Sequence, residues 1–460
     1  MTSRVTRQLA TACLVLAILL PVALLGRTAM ARGLGDFKTF YVGGQAARQH
    51  TQPYDYPVLL RTWQKDPAHT WAGTVLPYVY PPPFTLLMMP LSTLSFRLAS
   101  LLWLMIITAS AIGCGFLLIL LLGGTLKNPL LLLLVAAAVL DFAPGRNGLS
   151  LGQQDPLIAL LALGGLWIAR VRPLAGGLLL GCALVKPQTA LLAVLALCAS
   201  LRPRIIVGVA AALAIMGMAV AVAQLAALSP GTFGEWIAAA LGLHPPRLSV
   251  LHVAQAGVAA IALLLIVARA RALARTGADR SLALLCSLGI LFNGIAAPAL
   301  FLNLQSDVLL MLPIAVLIHW QLVPLMRTGV GWLPSALAGT VAGCVLGDAL
   351  FPIVHYTGRL NALPPAAITL LLLSAVGLLY PTLRRAAAIA MGVNLLLTCT
   401  FPFQEAFFQG LASAVSLILL LLMLYGGSPE FPQLANYGGA ATVQAAEEPA
   451  TLARQGRGAL

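Results

Sequence analysis

The sequence has few charged residues, and this shortage excludes most classes of soluble protein. Asp, Glu, Lys and Arg make up only 9% of its 460 residues, whereas 60% are hydrophobic and the mean hydropathy is +0.95. A single soluble core could not bury so much apolar surface. Apolar runs of about 14 to 24 residues recur along the chain, which is the length of helix that crosses a bilayer. The composition therefore predicts an all-α polytopic integral membrane protein with about 13 or 14 transmembrane helices.

Familiar binding motifs are also missing. The sequence contains no P-loop and no Gly-x-Gly-x-x-Gly motif, and its 6 histidines are not spaced as metal ligands. Its 7 cysteines lie inside apolar runs and include no Cys-x-x-Cys pair. The sequence thus predicts no nucleotide-binding domain, no metal and no cofactor.

The net charge of +14 does not indicate nucleic-acid binding, because the basic residues are scattered between apolar runs. If the amino terminus is cytoplasmic, these residues fall mostly in short loops on the cytoplasmic side, in agreement with the positive-inside rule. The same topology puts the acidic residues in or near the opposite face. We therefore expect a functional site on the external side of the membrane.

The chain is expected to form one transmembrane domain, residues 1–427, followed by a polar, glycine-rich and disordered cytoplasmic tail, residues 428–460. The first apolar run predicts an uncleaved helix, and a long external loop, residues 32–83, follows it. The prolines of "YVYPPPF" then predict a short re-entrant or interfacial helix from about Phe84 to Leu94.

Three later segments also carry structural signals. The stretch "APGRNGLSLGQQDP", residues 143–156, predicts a second external loop, and residues 229–249 predict another. Lys186 and Pro187 interrupt an apolar stretch that has basic residues at both ends. They predict two short helices that meet at Lys186, where protein or water must cover the free backbone groups.

Asp36 directly follows the first helix and is the first candidate for chemistry. A carboxylate at a water-filled site there could accept a proton from an incoming hydroxyl and act as a general base. Two plainer interpretations are a solvated loop acid and a cap for the next helix. From the residue alone, these alternatives stay open.

Lys186 and Arg146 are the basic residues that most need an anionic partner, because an unpaired charge inside the membrane is costly. The partner of Lys186 is either a lipid phosphate or an acidic side chain, Asp155 or Asp307. Arg146 has the same two kinds of partner, and its long side chain could instead extend to the lipid headgroups.

Other polar and aromatic residues also have two interpretations each. Gln153, Gln154 and Asp155 are interpreted as caps of the following helix, although Gln153 could also face a sugar. Asp307 is interpreted as an N-cap in the same way. The tyrosines near the first external loop either line a glycan groove or belong to an interfacial aromatic belt. They include Tyr41 and Tyr80.

Four stretches of the sequence occur in an informative order between Gly35 and Pro313. They are "GDFKTFYVGGQAARQHTQPYDYP", "YVYPPPFTLLMMPLSTLSFRLASLLW", "GLSLGQQDPLIALLALGGLWIARVRPLAGGLLLGCALVKPQTALLAVL" and "APALFLNLQSDVLLMLP". Together they resemble glycosyltransferase family 87, the polyprenyl-phosphate-mannose-dependent α-mannosyltransferases of bacterial membranes. The resemblance implies a hexosyltransferase with a GT-C type helical bundle and a long first external loop.

What the resemblance implies is transfer of a hexose, mannose, from a polyprenyl-phosphate-linked donor to a hydroxyl of a glycolipid or glycan acceptor. By position, Asp36 is the implied catalytic base of an inverting single displacement, and no second acid follows it to form a metal site. Lys186 and Arg146 are the implied ligands of the donor phosphate. The implied substrate-binding residues are Tyr41, Tyr80, Gln153, Asp155 and Asp307.

The implied partners are the lipid-linked donor, the acceptor and the lipid bilayer, with no nucleic acid. The implied location is the cell inner membrane, with the active site facing the periplasm or exterior. A transporter or flippase for lipid-linked sugars is the main alternative, because it also needs many spans, broken helices and buried charges. It does not account for the long polar loop after the first helix.

Overall fold

The computed structural model describes residues 4–198, 202–226 and 363–400, and shorter pieces between the last two ranges. The shorter pieces are residues 234–236, 238–239, 308–309, 311–317, 332, 335–336, 338–340 and 342. Asp307 and the predicted tail, residues 428–460, lie outside the described residues. Within the described ranges the chain forms helices and their connections, and no strand.

The described helices follow one another with short connections in the first half of the chain. In order they are α1 (Arg4–Arg32), α2 (Phe37–Arg48), α3 (Tyr56–Gln64), α4 (His69–Ala72), α5 (Pro82–Met88), α6 (Phe96–Leu121), α7 (Pro129–Asp141), α8 (Ala143–Leu151), α9 (Asp155–Ala169), α10 (Pro173–Ala183), α11 (Pro187–Cys198), α12 (Pro203–Ala226), α13 (Met311–Leu317), α14 (Leu363–Leu379) and α15 (Arg384–Thr400). Two 3₁₀ turns accompany them, at Leu91–Thr93 and Pro381–Leu383.

Among the described residues, 3 helices are long and apolar enough to cross a membrane, namely α1, α6 and most of α12. A further apolar pair, α7 with Gly145–Leu151 of α8, is bent by 65°, as in a broken span or a re-entrant loop. Shorter apolar helices, among them α9 and α10, lie in the same part of the chain. The predicted fold class, an all-α polytopic membrane protein, is confirmed.

Helix α10 packs very closely on α12 because glycines face each other at the contact. A Cβ atom at Gly177 would lie 2.3 Å from the carbonyl oxygen of Ile205, and one at Gly208 would lie 2.3 Å from that of Leu174. Small residues allow helix backbones to approach in this way when they pack inside a membrane. Helix α10 also packs against α9, which in turn packs against α6. Lys186, three residues after the end of α10, is therefore held close to the start of α9.

The predicted first external loop is folded into helices α2 to α5. Aromatic side chains form its core, since Phe37 stacks on Trp103 with ring centroids 5.7 Å apart and Phe40 meets Phe84 edge to face at 5.0 Å. All four side chains are buried. Buried aromatic groups of this size contribute strongly to packing, and here they tie α2 and α5 to the long helix α6.

A glycine pair in α2 explains how closely the segment before α5 approaches it. A Cβ atom at Gly43 would lie 2.4 Å from the ring of Tyr78, and one at Gly44 would lie 2.8 Å from the carbonyl oxygen of Met88. Both distances are much shorter than van der Waals contact. Glycine at these two positions therefore lets α2 lie directly against α5 and the residues that precede it.

The prediction of a loop at residues 143–156 was wrong, because most of this stretch forms α8. Pro144 lies in the first helical turn, where its missing N–H removes no hydrogen bond. Leu149 is fully buried against the aromatic core around α2. Tertiary burial thus outweighs the low helix propensity of the glycines, proline and asparagine in this stretch.

Two other predicted elements are present with small differences. The helix predicted from Phe84 to Leu94 begins two residues earlier, at Pro82, and becomes a 3₁₀ turn after Met88. The predicted break at Lys186 is confirmed, since α10 ends at Ala183 and α11 begins at Pro187.

Candidate active site

Asp36 lies in the short turn between α1 and α2. Its main-chain N–H donates a hydrogen bond to the carbonyl oxygen of Leu151 at the end of α8, with 2.7 Å between N and O. Asp36 occupies the N-cap position of α2, but its side chain makes no capping hydrogen bond. The interpretation as a helix cap was therefore wrong, and the carboxylate is free to make other contacts.

Two glycines let the turn of Asp36 lie against the connection between α8 and α9. Gly152 has a φ of +74°, and a Cβ atom there would lie 2.7 Å from Cβ of Leu34. A Cβ atom at Gly35 would lie 3.2 Å from the side chain of Leu151. The indole N–H of Trp103 donates to the carbonyl oxygen of Gly152 at 2.7 Å, which fastens the connection to α6.

Gln153 joins Asp36 to the polar residues behind it. Its Nε2 donates a hydrogen bond to Oδ2 of Asp36 and another to the hydroxyl oxygen of Tyr80, 3.2 Å away. Only 4% of Gln153 is exposed, whereas Asp36 and Tyr80 are partly exposed. Asp36 is therefore held by a buried amide and is not a freely solvated loop acid.

Lys186 forms a buried ion pair behind Gln153. Its Nζ lies 2.7 Å from Oδ2 of Asp155 and 3.3 Å from Oε1 of Gln153. Thr189 donates its hydroxyl to Oδ1 of Asp155 at 2.6 Å. Asp155 begins α9, where the helix dipole favours a negative charge. The ion pair with Asp155, one of the alternatives for Lys186, is present in the structure.

These side chains form one connected group, which we call the Asp36 cluster. Its members are Asp36, Tyr80, Gln153, Asp155, Lys186 and Thr189. The cluster joins the α1–α2 turn, the segment before α5, the start of α9 and the break between α10 and α11. Its buried end holds the ion pair, and its partly exposed end holds Asp36 and Tyr80.

Burial controls the protonation of the exposed end of the cluster. It raises the pKa of Asp36, although the hydrogen bond from Gln153 and the charge of Lys186 act in the opposite direction. It also raises the pKa of Tyr80, so this phenol stays protonated at neutral pH. Burial lowers the pKa of Lys38, and the nearby Asp36 carboxylate opposes that effect. A carboxylate with a raised pKa is the stronger base for abstracting a proton from a hydroxyl.

The prediction that Gln154 and Asp155 cap α9 was wrong. Gln154 occupies the N-cap position without a side-chain capping bond. Its amide atoms have no hydrogen-bond partner among the described residues. Both carboxylate oxygens of Asp155 are used by Lys186 and Thr189. Asp155 serves the ion pair because the break between α10 and α11 brings Lys186 next to it.

Two predicted site residues make their contacts elsewhere. Arg146 pairs with Asp141 at 2.6 Å, within the bend between α7 and α8. Tyr41 donates its hydroxyl to the carbonyl oxygen of Leu94 at 2.8 Å and lies 3.3 Å from a carboxylate oxygen of Asp66. The structure thus brings Asp36, Tyr80, Gln153, Asp155 and Lys186 together, whereas the contacts of Arg146 and Tyr41 do not join the cluster.

Sequence reasoning missed Thr189 and Asp141. Thr189 follows Lys186 by three positions, a spacing that puts two residues on the same face of a helical turn, so a signal for it was present. Asp141 follows a long apolar run, and its pairing with Arg146 depends on a bend that the sequence did not predict. Among the described residues, no three His, Cys, Asp or Glu side chains are grouped to hold a metal ion.

The helices and the Asp36 cluster define a polytopic membrane protein with a polar site at the junction of several helices. A model of glycosyltransferase family 87 matches residues 78–292. This match covers less than half of the chain and agrees with the resemblance to that family. The matched region contains five of the six members of the Asp36 cluster, and Asp36 precedes it. No curated protein and no solved structure matches the chain.

Proposed function

We propose that the protein transfers a hexose, mannose, from a polyprenyl-phosphate-linked donor to a hydroxyl of a glycolipid or glycan acceptor. The reaction is an inverting single displacement on the periplasmic or exterior side of the inner membrane. The observation that carries the proposal is the partly exposed Asp36 carboxylate, which a buried amide connects to the Lys186 ion pair. Sugar, donor and stereochemistry come from the family resemblance.

In this mechanism Asp36 is the general base. Its carboxylate takes the proton of the acceptor hydroxyl while that oxygen attacks the anomeric carbon. The bond between the anomeric carbon and the phosphate oxygen breaks, and polyprenyl phosphate leaves with the electron pair. The raised pKa of Asp36 supports this role, because proton transfer to a more basic carboxylate is more favourable.

Lys186 is the proposed ligand of the departing phosphate, because it is the cation of the Asp36 cluster. Asp155 offsets the cost of keeping this ammonium group buried before the donor arrives. A charge-assisted contact between Lys186 and the phosphate stabilises negative charge that grows in the transition state. Arg146 lies in another ion pair, so we propose that its effect on the phosphate is smaller.

Tyr80 and Gln153 are the proposed contacts of the transferred sugar. The Tyr80 side chain is partly exposed, and its hydroxyl lies beside the amide that holds Asp36. A phenol and an amide both donate and accept hydrogen bonds, which suits a sugar with several hydroxyl groups. Tyr41 makes its hydrogen bonds away from the cluster, and Asp307 lies outside the described residues.

The first experiment measures transfer of radiolabel from polyprenyl-phosphate-mannose to a native lipid extract by the purified protein. We expect Asp36→Asn to reduce transfer at least about a hundredfold, because a positioned general base is lost. Asp55→Asn is the matched control. Asp55 is the N-cap of α3, and asparagine caps a helix about as well as aspartate. Equal activity of Asp36→Asn and wild type at matched folded yield would remove Asp36 from the mechanism.

The alternative, a transporter or flippase for lipid-linked sugars, makes a different prediction for the same sample. It predicts that the wild-type protein leaves the donor chemically intact with every sugar and extract tested. In that case, flipping of the labelled lipid in reconstituted vesicles becomes the relevant measurement. Release of polyprenyl phosphate by wild type, with label in a new product, contradicts the transport interpretation.

A further inference from the structure

The residues between α4 and α5, numbers 73–81, form neither helix nor strand. We call them the 73–81 segment. This segment carries Tyr80. Pro81 to Pro83, which follow Tyr80, have no N–H groups to donate. Its main-chain carbonyls therefore need donors from other parts of the protein, because unpaired backbone groups are costly when buried.

Side chains of the preceding helices supply the donors for the first part of the 73–81 segment. The indole N–H of Trp63 donates to the carbonyl of Gly73 at 2.7 Å, and the Tyr56 hydroxyl donates to that of Val75 at 3.1 Å. Because these contacts come from α3, the beginning of the segment is fastened to the helices next to it.

The end of the segment is held by two aromatic side chains at consecutive carbonyls. The Tyr54 hydroxyl donates to the carbonyl oxygen of Tyr80 at 2.8 Å, and the indole N–H of Trp236 donates to that of Val79 at 3.0 Å. Trp236 lies 157 positions further along the chain, in a stretch that the sequence predicts as an external loop. Trp236 therefore brings a donor to the main chain of this segment from beyond α6.

These two hydrogen bonds hold the backbone from which the Tyr80 side chain extends. Its ring meets Phe40 edge to face, with centroids 4.5 Å apart, and its hydroxyl accepts from Nε2 of Gln153. The same Nε2 donates to Asp36. If the backbone at positions 79 and 80 shifts, the Tyr80 hydroxyl leaves Gln153, and the amide loses one of the contacts that orient it toward Asp36.

We propose that Trp236 and Tyr54 are positioning residues, which hold Tyr80 on Gln153 and so keep Asp36 in the geometry for proton transfer. This inference rests on the proposed function, since it assigns these two residues to the same site. Neither residue touches the substrate in this proposal. They act through the backbone of the 73–81 segment, and Trp236 links the site to a distant part of the chain.

The test compares three substitutions that each remove one donor to the 73–81 segment and retain an aromatic ring. Trp236→Phe and Tyr54→Phe release the carbonyls at Val79 and Tyr80, and Tyr56→Phe releases the carbonyl at Val75. We expect kcat for mannosyl transfer to fall about three- to tenfold in the first two, which corresponds to the loss of one hydrogen bond. Tyr56→Phe should stay within about twofold of wild type.

The pH dependence of kcat separates positioning from loss of folded protein. The titratable groups that face Asp36 are Lys38, Tyr80, Asp155 and Lys186. Burial is the largest influence on the pKa of Asp36 and raises it, so a loosened Tyr80 that admits water should lower this pKa, against the smaller opposite effect of a weakened Gln153 hydrogen bond. The acidic limb of the plot of kcat against pH should then move to lower pH in Trp236→Phe and Tyr54→Phe. It should stay in place in Tyr56→Phe. A smaller folded fraction would scale the whole curve without moving its limb.

Two results overturn the inference. In the first, Trp236→Phe and Tyr54→Phe have the same kcat as Tyr56→Phe, and the acidic limb of their pH profile lies at the same pH. The other is a wild-type protein that transfers no label, in which case the proposed function fails with it. The two failures are distinguishable, because the first leaves wild-type transfer and its dependence on Asp36 intact.

Discussion

Two buried ion pairs lie within the described residues, Lys186 with Asp155 and Arg146 with Asp141, and they have similar geometry and different surroundings. Their N–O distances are 2.7 and 2.6 Å, and both acids are fully buried. Asp155 begins α9 and Lys186 lies in the break between α10 and α11, and hydrogen bonds through Gln153 connect them to Asp36. Arg146 and Asp141 lie on either side of one bend in the chain.

The two ion pairs differ in the hydrogen bonds that their other side-chain nitrogen and oxygen atoms make. Both oxygens of Asp155 accept hydrogen bonds, and Lys186 has a second contact to Gln153. Nε and Nη2 of Arg146 have no hydrogen-bond partner among the described residues. An ion pair that spans several elements and reaches a partly exposed acid is suited to chemistry. The local pair spans the 65° bend between α7 and α8.

The largest expected effect comes from neutralising the Lys186 pair. Lys186→Met alone leaves Asp155 buried and unpaired, which costs about 3–5 kcal/mol of stability. The double variant Lys186→Met with Asp155→Leu should recover the folded yield, because no buried charge remains unpaired. Mannosyl transfer by the double variant should nevertheless stay at least about a hundredfold below wild type, since the cation at the phosphate is missing. Size-exclusion chromatography in detergent and the transfer assay check the two parts.

Recovery of transfer together with folded yield in that double variant would mean that the Lys186 pair is structural. The comparison of the two pairs would then fail, because both would have the same role. Lys186→Arg with intact Asp155 is a useful control. It keeps the charge, but the guanidinium has a different shape, so partial activity is expected.

A smaller effect is expected from neutralising the Arg146 pair. Arg146→Met alone should reduce the folded yield, and Arg146→Met with Asp141→Leu should restore it, for the same reason as above. Transfer by this double variant should stay within about tenfold of wild type, because the pair acts on the bend and only indirectly on the site. Size-exclusion chromatography in detergent and the transfer assay check these two expectations. A loss as large as that of the Lys186 double variant would return Arg146 to the phosphate site.

These contrasts also show what the sequence could and could not predict. The break at Lys186 was predictable, because a charge followed by proline interrupts an apolar run. The position of Asp36 after the first helix was equally visible. The contact between Asp36 and Gln153 was not, since 117 positions separate them and no local pattern reports the distance between two turns.

Helix α8 was missed for a related reason. Its glycines, proline and asparagine have low helix propensity, and the burial of Leu149 that outweighs them is a tertiary effect. The pairing of Arg146 with Asp141 depends on that helix and on the bend before it. Local sequence signals thus predicted where helices break. The side chains that pair across each break could be identified only from the structure.

The smallest expected effect concerns Lys38, the other cation near Asp36. Its charge lowers the pKa of Asp36, against the larger effect of burial. Lys38→Met should therefore raise that pKa and move the acidic limb of kcat/KM to higher pH, by less than about one unit because Lys38 is partly exposed. Lys38→Arg retains the charge and should leave the limb in place. A shift of the Lys38→Met limb to lower pH contradicts the proposed pKa relation.

The hydrogen bond between the Asp36 N–H and the Leu151 carbonyl has a consequence for biosynthesis. It joins two turns that leave the ribosome at different times, and Gln153 emerges 117 positions after Asp36. At ordinary translation rates this interval is roughly 6 to 23 seconds. During that time the nascent Asp36 has no Gln153 amide as a partner, so the Asp36 cluster cannot form until these later residues have been synthesised.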